Sequence, residues 1–519
     1  MKIVIVLCFI LAVGFGNVAY SEVPSKEVDR LISMLSDQDK EVKKNAVREL
    51  GNLEDQKALE ALNNLWSTES DEEVNYLIEI ALNRIKLLDS NPAVRKSAAE
   101  VLGNKGEVNF ALDTFDVEGS SLFGRIMLGE QDSADILSSL SKALAMEKDE
   151  KVKVLIVEAI QKIKLLDKDQ IVRKEAAEFL GELCNPDAIM YLGRAQEKEK
   201  DEEVKNALKK TISKIEKKQQ TATVIQQLFN GVSVSSIYLL IAIGLAITFG
   251  VMGVINMAHG EFMMLGCYVS YVIQLCFKNY FSESVFGLYF LLALPVSFIV
   301  TALFGLLLEG TVIRLLYGRA LDTLLATWGV SLILQQLVRQ IFGANNVDVA
   351  SPVWLTGGIP VMAGLQLPYK RVFIIGFTAS IVAGIYFLLL RTRLGLKIRA
   401  VMQNRTMSDC LGIPVRKIDA FTFALGSGLA GIAGCNISLL GSVGPSTGQN
   451  YIVDCFMVVV LGGVGKIVGS IAGAFGMGET NSIFEFFTTA SMGKVLVFLL
   501  VIIFLRFKPT GFSATRGRN

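Results

Sequence analysis

The residues best suited to chemistry in this sequence lie in one short stretch, GVINMAHGEFMMLGCY, residues 253–268. Among small and apolar residues it contains Asn256, Glu261 and His259, the single histidine of the chain. Ionisable side chains inside an apolar segment are functional candidates, because burying them in lipid is costly. Two interpretations are open: the three side chains satisfy the backbone of a broken helix, or they contact a transported solute.

Enzymatic chemistry is not expected from the rest of the sequence. One histidine, no paired carboxylates at helical spacing in an apolar run, and no Ser or Cys beside a base leave no catalytic site to assemble. GSGLAG (426–431) matches a dinucleotide fingerprint but follows no strand, and GGVGKIV (462–468) lacks two residues of a phosphate-binding loop. The cysteines have no metal-ligand spacing. We therefore expect a protein that is not an enzyme and binds no metal or cofactor itself.

Composition divides the chain into a charged part and an apolar part. The 519 residues are 51% hydrophobic, with a mean hydropathy of +0.46, yet they include 50 acidic and 51 basic residues. Only 10 of the acidic and 19 of the basic residues lie at or beyond residue 224. This distribution predicts a charged domain followed by a membrane domain, with the boundary near KIEKKQQTAT (214–223).

The first residues predict on which side of the membrane the charged domain lies. Lys2 precedes an apolar core that ends near Phe15, and AYS (19–21) is a small-x-small cleavage site. This pattern is typical of a secretory signal peptide, here residues 1–21, and its apolar run is shorter than the roughly 20 residues of a spanning helix. An uncleaved anchor is the alternative. The domain that follows is expected to be periplasmic or extracellular.

Internal repeats indicate the fold of that domain, residues 22–220. DEEVNYLIEIALNRIKLLD (71–89) and NPAVRKSAAEVLG (91–103) recur 78 residues later as DEKVKVLIVEAIQKIKLLD (149–167) and DQIVRKEAAEFLG (169–181). Apolar residues at helical spacing follow starts that can cap a helix, and such units must stack to bury their apolar faces. We predict an α-solenoid, and its D-x-x-V-R-x-x-A-A-x-x-L-G pattern resembles HEAT repeats. The solenoid either binds a partner or serves as a spacer or stabilising cap.

Long apolar runs characterise the remainder, residues 224–511. Nine candidate spans are predicted: 226–249, 255–277, 286–309, 321–342, 372–391, 419–440, 452–465, 467–488 and 495–507. The basic loop RTRLGLKIRAVMQNR (391–405) should be cytoplasmic, so an exported N-terminus requires an odd number of crossings. The Gly-broken region 461–476 is therefore split into two short pieces. We expect an all-α chain with about 8 or 9 spans.

Further residues in the spans are too polar or too small to face lipid. Gln335 and Gln336 lie in the fourth apolar run and are additional pathway or gating candidates. Small residues at four-residue spacing provide faces on which helices can approach closely. These helix-packing candidates are Gly426, Ala430, Gly434, Gly469 and Gly473.

The membrane part resembles a known family. LFNGVSVSSIYLLIAIGLAITFGVMGVINMAHGEFMMLGCYVSY (228–271) is similar to the opening of the permease subunits of branched-chain amino-acid ABC importers. The stretches 321–343, 398–414 and 458–474 are also similar, so the resemblance covers 224–511. The family motif G-x-I-N-x-A-H-G-E-x-x-M-x-G-A-Y is matched at Asn256, Ala258, His259, Gly260, Glu261 and Gly266, with Cys267 in place of the common Ala.

The resemblance implies a solute. Within this family, the first permease subunit of urea importers has a long exported extension, as this chain does, and an external loop similar to FGANNVDVASPVWLTGG (342–358). This implies urea, with branched-chain amino acids or short amides as the alternative. An ATP-independent channel or a membrane-tethered scaffold is the alternative of another class.

The resemblance also implies partners in a bacterial inner (plasma) membrane. These are a second homologous permease subunit, two cytoplasmic ATPase subunits that use the ATP, and a periplasmic solute-binding protein, with no nucleic acid. The loop 391–417 has seven basic residues against one acidic residue, Asp409, and the resemblance implies that it couples to the ATPases. Simple positive-inside topology is the alternative for this loop. The implied coupling residues are Arg399, Gln403, Asn404, Arg405, Leu411 and Gly412.

Overall fold

The computed structural model describes residues 25–37, 39–105, 130–362, 365–463, 465–509 and 511–512. Contacts within the chain divide it into two compact units, residues 1–219 and 220–519, which we call the repeat unit and the membrane unit. The predicted signal peptide, residues 1–21, lies outside the described residues. The predicted all-α fold is confirmed, because the described strands are limited to one short hairpin.

A module of three helices recurs three times in the repeat unit: α2–α4, α5–α7 and α8–α10. The modules begin at Lys40, Pro92 and Gln170, so the first two starts are 52 residues apart and the last two are 78 residues apart. The second module is longer because residues 106–129 follow its first helix. The helix bounds are α1 (Ser25–Met34), α2 (Lys40–Leu53), α3 (Ala58–Thr68), α4 (Glu72–Lys86), α5 (Pro92–Lys105), α6 (Glu130–Met146), α7 (Glu150–Lys164), α8 (Gln170–Leu183), α9 (Ala188–Lys198) and α10 (Glu202–Met252), whose residues from 220 onward belong to the membrane unit.

The glycine that ends the repeated A-A-x-x-L-G pattern allows the first and third helices of each module to touch. A Cβ atom added at Gly103 would lie 2.9 Å from Cβ of Ala159, and one added at Gly51 would lie 3.0 Å from Cβ of Ala81. The first helices also begin with a capping aspartate or asparagine: Asp169 accepts a hydrogen bond from the Ile171 backbone, and Asn91 accepts one from the Ala93 backbone. The sequence repeat therefore encodes both the helix starts and the close packing of the module.

A partly buried ion pair joins the first helix of the second module to the end of its middle helix. Arg95 donates from Nε and Nη2 to the two carboxylate oxygens of Glu147, at 2.7 and 2.8 Å. This Arg95 guanidinium lowers the pKa of Glu147 to about 2, and backbone N–H groups of Lys148 and Asp149 contribute. The third module repeats the bidentate pair as Arg173 and Glu199.

The lowered pKa predicts acid sensitivity of the repeat unit. The stabilisation from ionised Glu147 is present above pH 4.5 and is lost as the pH falls from about 4.5 towards about 2. We expect Glu147→Gln to lower the free energy of unfolding at pH 7 by about 3 kcal/mol, since one pKa unit corresponds to about 1.4 kcal/mol. The difference from wild type should shrink at pH 3, measured by limited proteolysis of the full chain. Glu60→Gln, at an exposed position of α3, is the control, and an equal loss at both pH values would contradict the prediction.

The membrane unit continues with ten α-helices in its described part, three short 3-10 helices (Glu283–Leu288, Ile313–Leu316 and Val353–Leu355) and an antiparallel hairpin. The hairpin, β1 (Gly358–Met362) and β2 (Leu365–Pro368), begins at the last residue of 342–358, the loop implied to be external, and pairs Gly358 with Pro368. The helices are α11 (His259–Tyr280), α12 (Tyr289–Thr311), α13 (Ala320–Phe342), α14 (Tyr369–Arg391), α15 (Arg393–Gln403), α16 (Arg405–Cys410), α17 (Val415–Ile437), α18 (Thr447–Gly462), α19 (Ile467–Phe487) and α20 (Ala490–Phe507).

Seven of the described helices are long and apolar enough to cross a membrane. They are Glu202–Met252, His259–Tyr280, Val285–Thr311, Ala320–Phe342, Tyr369–Arg391, Val415–Ile437 and Ala490–Phe507. The two remaining predicted spans, 452–465 and 467–488, coincide with α18, which has only 16 residues, and α19, which carries Glu479 and Glu485. The Gly-broken region is therefore the part of the membrane unit that deviates most from ordinary spans.

Helices α11, α12 and α17 form the centre of the membrane unit, and small residues bring them together. A Cβ atom added at Gly434 of α17 would overlap the carbonyl oxygen of Met263, and one added at Gly266 would overlap that of Gly431. Backbones in direct contact allow dense packing where lipid supplies no hydrophobic driving force. This arrangement fixes α11, which carries His259 and Glu261, against α17.

Candidate functional site

A break in the helical backbone positions the candidate residues. Helix α10 ends at Met252, Gly253 adopts a φ of +65°, and α11 begins at His259. Within the break, the Oδ1 atom of Asn256 accepts a hydrogen bond from the backbone N–H of Ala258 at 3.0 Å. The glycine permits the turn and Asn256 satisfies part of the freed backbone, as expected for irregular structure that is buried in protein.

Glu261 connects α11 to α13. Its carboxylate, which is 1% exposed, accepts hydrogen bonds on Oε1 from the Ser331 hydroxyl at 2.9 Å and from Nε2 of Gln335 at 2.7 Å. The second oxygen, Oε2, has no hydrogen-bond partner among the described residues. A buried carboxylate with two fixed donors on one oxygen and none on the other can accept a further donor once the helices separate.

The side of α13 that faces Glu261 carries a polar stripe at four-residue spacing. Its members are all buried: Thr323, Thr327, Ser331 and Gln335. Thr327 accepts a hydrogen bond from the backbone N–H of Met257 at 3.1 Å, so the stripe also contacts the break. Sequence reasoning found Gln335 but missed the hydroxyl residues, although their i, i+4, i+8 spacing was a readable signal. We call Asn256, Glu261, Thr327, Ser331 and Gln335 the polar cluster.

His259 does not belong to this cluster. Its Nε2 lies 3.1 Å from the carbonyl oxygen of Ile241 in α10. Its ring packs against Gly244 of the same helix, where an added Cβ atom would lie 3.1 Å from Cε1 of the ring. The two neighbouring ionisable residues therefore serve different helix pairs, His259 joining α11 to α10 and Glu261 joining α11 to α13. Gln336, the other sequence candidate on α13, is exposed and lies away from the cluster.

The packing candidates lie where helices approach most closely. A Cβ atom added at Gly426 would lie 2.7 Å from the carbonyl oxygen of Gly244, and one added at Gly473 would lie 2.6 Å from that of Val458. Ala430 is fully buried, and Gly469 contacts the backbone of Gly462. Together with Gly434, these positions allow close contacts of α17 with α10 and α11, and of α19 with α18.

The predicted coupling loop contains two short helices, α15 and α16. Its largest exposed apolar side chains are Leu396, Met407 and Leu411, which are 62%, 57% and 75% exposed. Among the polar coupling candidates, Arg399 and Gln403 are also exposed, whereas Asn404 caps α16 by accepting from the Met407 backbone. Exposed apolar residues among basic ones suit a protein interface.

Arg405 has a different environment from the other candidates in this loop. Its guanidinium forms a bidentate pair with the carboxylate of Asp419 near the start of α17, with Nη1 at 3.2 Å from Oδ1 and Nη2 on Oδ2. It also lies 4.3 Å above the ring of Tyr317, in the turn before α13. The structure thus places Arg405 against the spans, whereas the resemblance had implied a place among the ATPase-coupling residues.

Comparisons with known proteins agree on the membrane unit. A family model described as "Branched-chain amino acid transport system / permease component" matches residues 227–505. The chain belongs to this family. The permease is 33% identical over 293 residues to the high-affinity branched-chain amino acid transport system permease protein BraD of Pseudomonas aeruginosa. It is 30% identical over 294 residues to LivH of Escherichia coli K12. A HEAT-repeat family model matches residues 10–83.

The permease is considerably longer than these relatives. Each alignment covers 55% of this chain but 94% of the relative. A probable branched-chain amino acid permease LivH of Methanocaldococcus jannaschii, 28% identical, aligns with 54% of this chain and 89% of its own length. Nearly half of this permease therefore has no counterpart in the three alignments.

Proposed function

We propose that this permease is the membrane-spanning subunit of a binding-protein-dependent ABC importer. The family match over residues 227–505 carries the proposal, because it includes almost all of the helices able to span a membrane. The chain forms a pathway with a second homologous permease. A periplasmic binding protein delivers the solute, and two cytoplasmic ATPase subunits supply the energy for alternating access.

The polar cluster is the proposed gate or pathway segment. Glu261 is buried between two spanning helices with one oxygen unpartnered among the described residues, and its contacts are hydrogen bonds that a small displacement of α13 would break. Charged groups at membrane depth are costly, so they are kept where a bundle interior or wet cavity uses them. When Ser331 and Gln335 no longer donate to Glu261, the carboxylate oxygens of Glu261 can accept hydrogen bonds from the N–H groups of a solute. His259 serves the fixed packing of α11 on α10.

The loop 391–417 is the proposed ATPase contact. Leu396 and Met407 are exposed on helices that are too short to span, and Leu411 is exposed directly after the second of them. Arg399 and Gln403 are exposed in the same loop. Interfaces commonly combine a few apolar anchors with basic residues at the rim. This distribution favours coupling over a loop whose charge serves topology alone.

Leu411 provides the test of this contact. We expect Leu411→Asp to weaken binding of the ATPase subunits about tenfold or more, because an anchor residue contributes at least about 1.4 kcal/mol. The measurement is ATPase retention by the detergent-solubilised permease pair as a function of ATPase concentration. Leu411→Met, which keeps an apolar side chain of similar volume, is the control. Equal retention by both variants would show that the outward face of this loop is not the docking site.

Urea is the proposed solute. The support is the combination of the similar external loop at 342–358 with a long helical-repeat domain, which the alignments to BraD and LivH leave without a counterpart. Urea is neutral and carries both N–H donors and a carbonyl acceptor, so it matches a cluster of one carboxylate, two hydroxyls and two amides. The same resemblance supports export of the repeat unit, behind a signal peptide at residues 1–21.

Branched-chain amino acids are the second candidate, favoured by a specific observation. BraD and the LivH proteins are described as branched-chain amino acid permeases, and they align over 89% or more of their own lengths. Uptake of radiolabelled urea and leucine, in competition, separates the two. Urea uptake that requires this chain and resists excess leucine supports the first proposal. Leucine uptake that requires the chain would replace urea with a branched-chain amino acid as the proposed solute, and the proposal of an importer would stand.

A further inference from the structure

Arg405 contacts two segments of the membrane unit that adjoin spans, the start of α17 and the turn before α13. Its own helix, α16, is separated from α17 by residues 411–414, and Gly412 in that turn adopts a φ of +77°. The bidentate pair with Asp419 bypasses this turn and connects α16 directly to the first turns of α17. A planar guanidinium on a carboxylate fixes orientation as well as distance, which a lysine does not do.

The same guanidinium faces a second group of residues. The Tyr317 ring below it lies three residues before α13 begins at Ala320. Glu309, which is 7% exposed near the end of α12, interacts electrostatically with both Arg405 and Asp419. We call Arg405, Asp419, Tyr317 and Glu309 the clasp. It joins α16 to α17, to the end of α12 and to the turn that leads into α13.

Helix α13 connects the clasp to the polar cluster. It begins next to Tyr317 and carries Ser331 and Gln335, the two donors to Glu261. Eleven residues separate Ala320 from Ser331, a distance of about 16 Å along a helix at 1.5 Å per residue. A rigid helix that is held next to its start and again at Ser331 and Gln335 can transmit a displacement between these two places.

We propose that Arg405 is a positioning residue that transmits movement of the coupling helix α16 to α17 and α13, and so to the polar cluster. The inference rests on the proposed function, since it requires ATPase subunits that displace α16. Asp419 and Tyr317 are the partners through which Arg405 acts. Breaking the clasp then uncouples ATP hydrolysis from import while the loop still binds the ATPases.

The first test separates transmission from simple anchoring. Replacing Arg405 alone leaves the buried Asp419 carboxylate unpaired, which destabilises the protein whatever the function. The double variant R405Q/D419N removes both charges and keeps two amides able to bond each other. We expect it to assemble with its partners at wild-type levels but to hydrolyse at least about fivefold more ATP per solute imported, the range of typical coupling free energies. A wild-type ratio in the assembled variant overturns the proposal.

A second pair of variants keeps the proposal testable if the double variant does not accumulate. Tyr317→Leu keeps both members of the ion pair and removes the ring together with its hydroxyl, which also interacts with Asp419. R405K keeps the charge but loses the planar guanidinium that binds a carboxylate through two nitrogens. We expect both to raise the ratio of ATP hydrolysed to solute imported, and a wild-type ratio in both overturns the proposal. Arg506→Gln, at an exposed arginine near the end of α20, is the matched control. Failure of the wild-type chain to bind ATPases or import solute would instead refute the proposed function.

Discussion

We expect Gly434→Ala to prevent the membrane unit from reaching its native packing. The added Cβ atom would overlap the carbonyl oxygen of Met263 and would lie 3.1 Å from the Cys267 nitrogen, so it meets the α11 backbone. A backbone cannot move aside as a flexible side chain does, and α11 and α17 must separate. The expected loss is about 3 kcal/mol of unfolding free energy, at the upper end of ordinary overpacking. The loss is measured by thermal unfolding of the purified chain in detergent, with aggregation as the recorded signal.

Gly384→Ala provides the matched control for this substitution. Gly384 lies within the spanning helix α14, and a Cβ atom added there would have no neighbour within 4 Å. Alanine favours helices over glycine by up to about 1 kcal/mol, so this variant should be as stable as wild type or slightly more so. If both variants unfolded at the wild-type temperature, the close contact of α11 with α17 at Gly434 would not contribute to stability, and the prediction would be wrong.

The importance of Gly434 was predictable from the sequence, because small residues at four-residue spacing on an apolar helix indicate close packing. The helical repeats were predictable for a similar reason, since D-x-x-V-R-x-x-A-A-x-x-L-G specifies both a capped start and a close approach at its glycine. These features depend on residues near one another in sequence. Periodicity therefore revealed most of the fold, including α17 and the first helix of each module.

Features that depend on distant partners could not be predicted in this way. His259 and Glu261 are two residues apart, and neighbours at that spacing point to different sides of a helix, so their partners in α10 and α13 required coordinates. Arg405 stands in a basic loop where charge alone suggested an outward role. The contacts with Asp419, fourteen residues away and buried, and with the Tyr317 ring show that its side chain turns towards the spans.

The second large effect is expected on solute uptake, from a substitution at one of two adjacent glutamines of α13. We expect Gln335→Leu to reduce solute uptake about tenfold or more. It removes the Nε2 donor, 2.7 Å from Oε1 of Glu261, and leaves that buried carboxylate with the Ser331 hydroxyl as its described partner. Loss of a hydrogen bond to a buried charged group costs about 1.5–3 kcal/mol, which exceeds the 1.4 kcal/mol of a tenfold change. Initial uptake rates in cells with equal amounts of membrane-inserted protein are the measurement.

Gln336→Leu separates the role of the cluster from a general effect of removing polarity from α13. Gln336 has the same side chain and the same helix, but it is exposed and points away from Glu261. A leucine there costs no described hydrogen bond, so uptake should remain within about twofold of wild type, as for ordinary surface substitutions. Equal losses in the two variants would mean that the outer face of α13, and not its contact with Glu261, governs transport. A loss confined to Gln335 would instead identify the buried face of α13 as the side on which the gate opens.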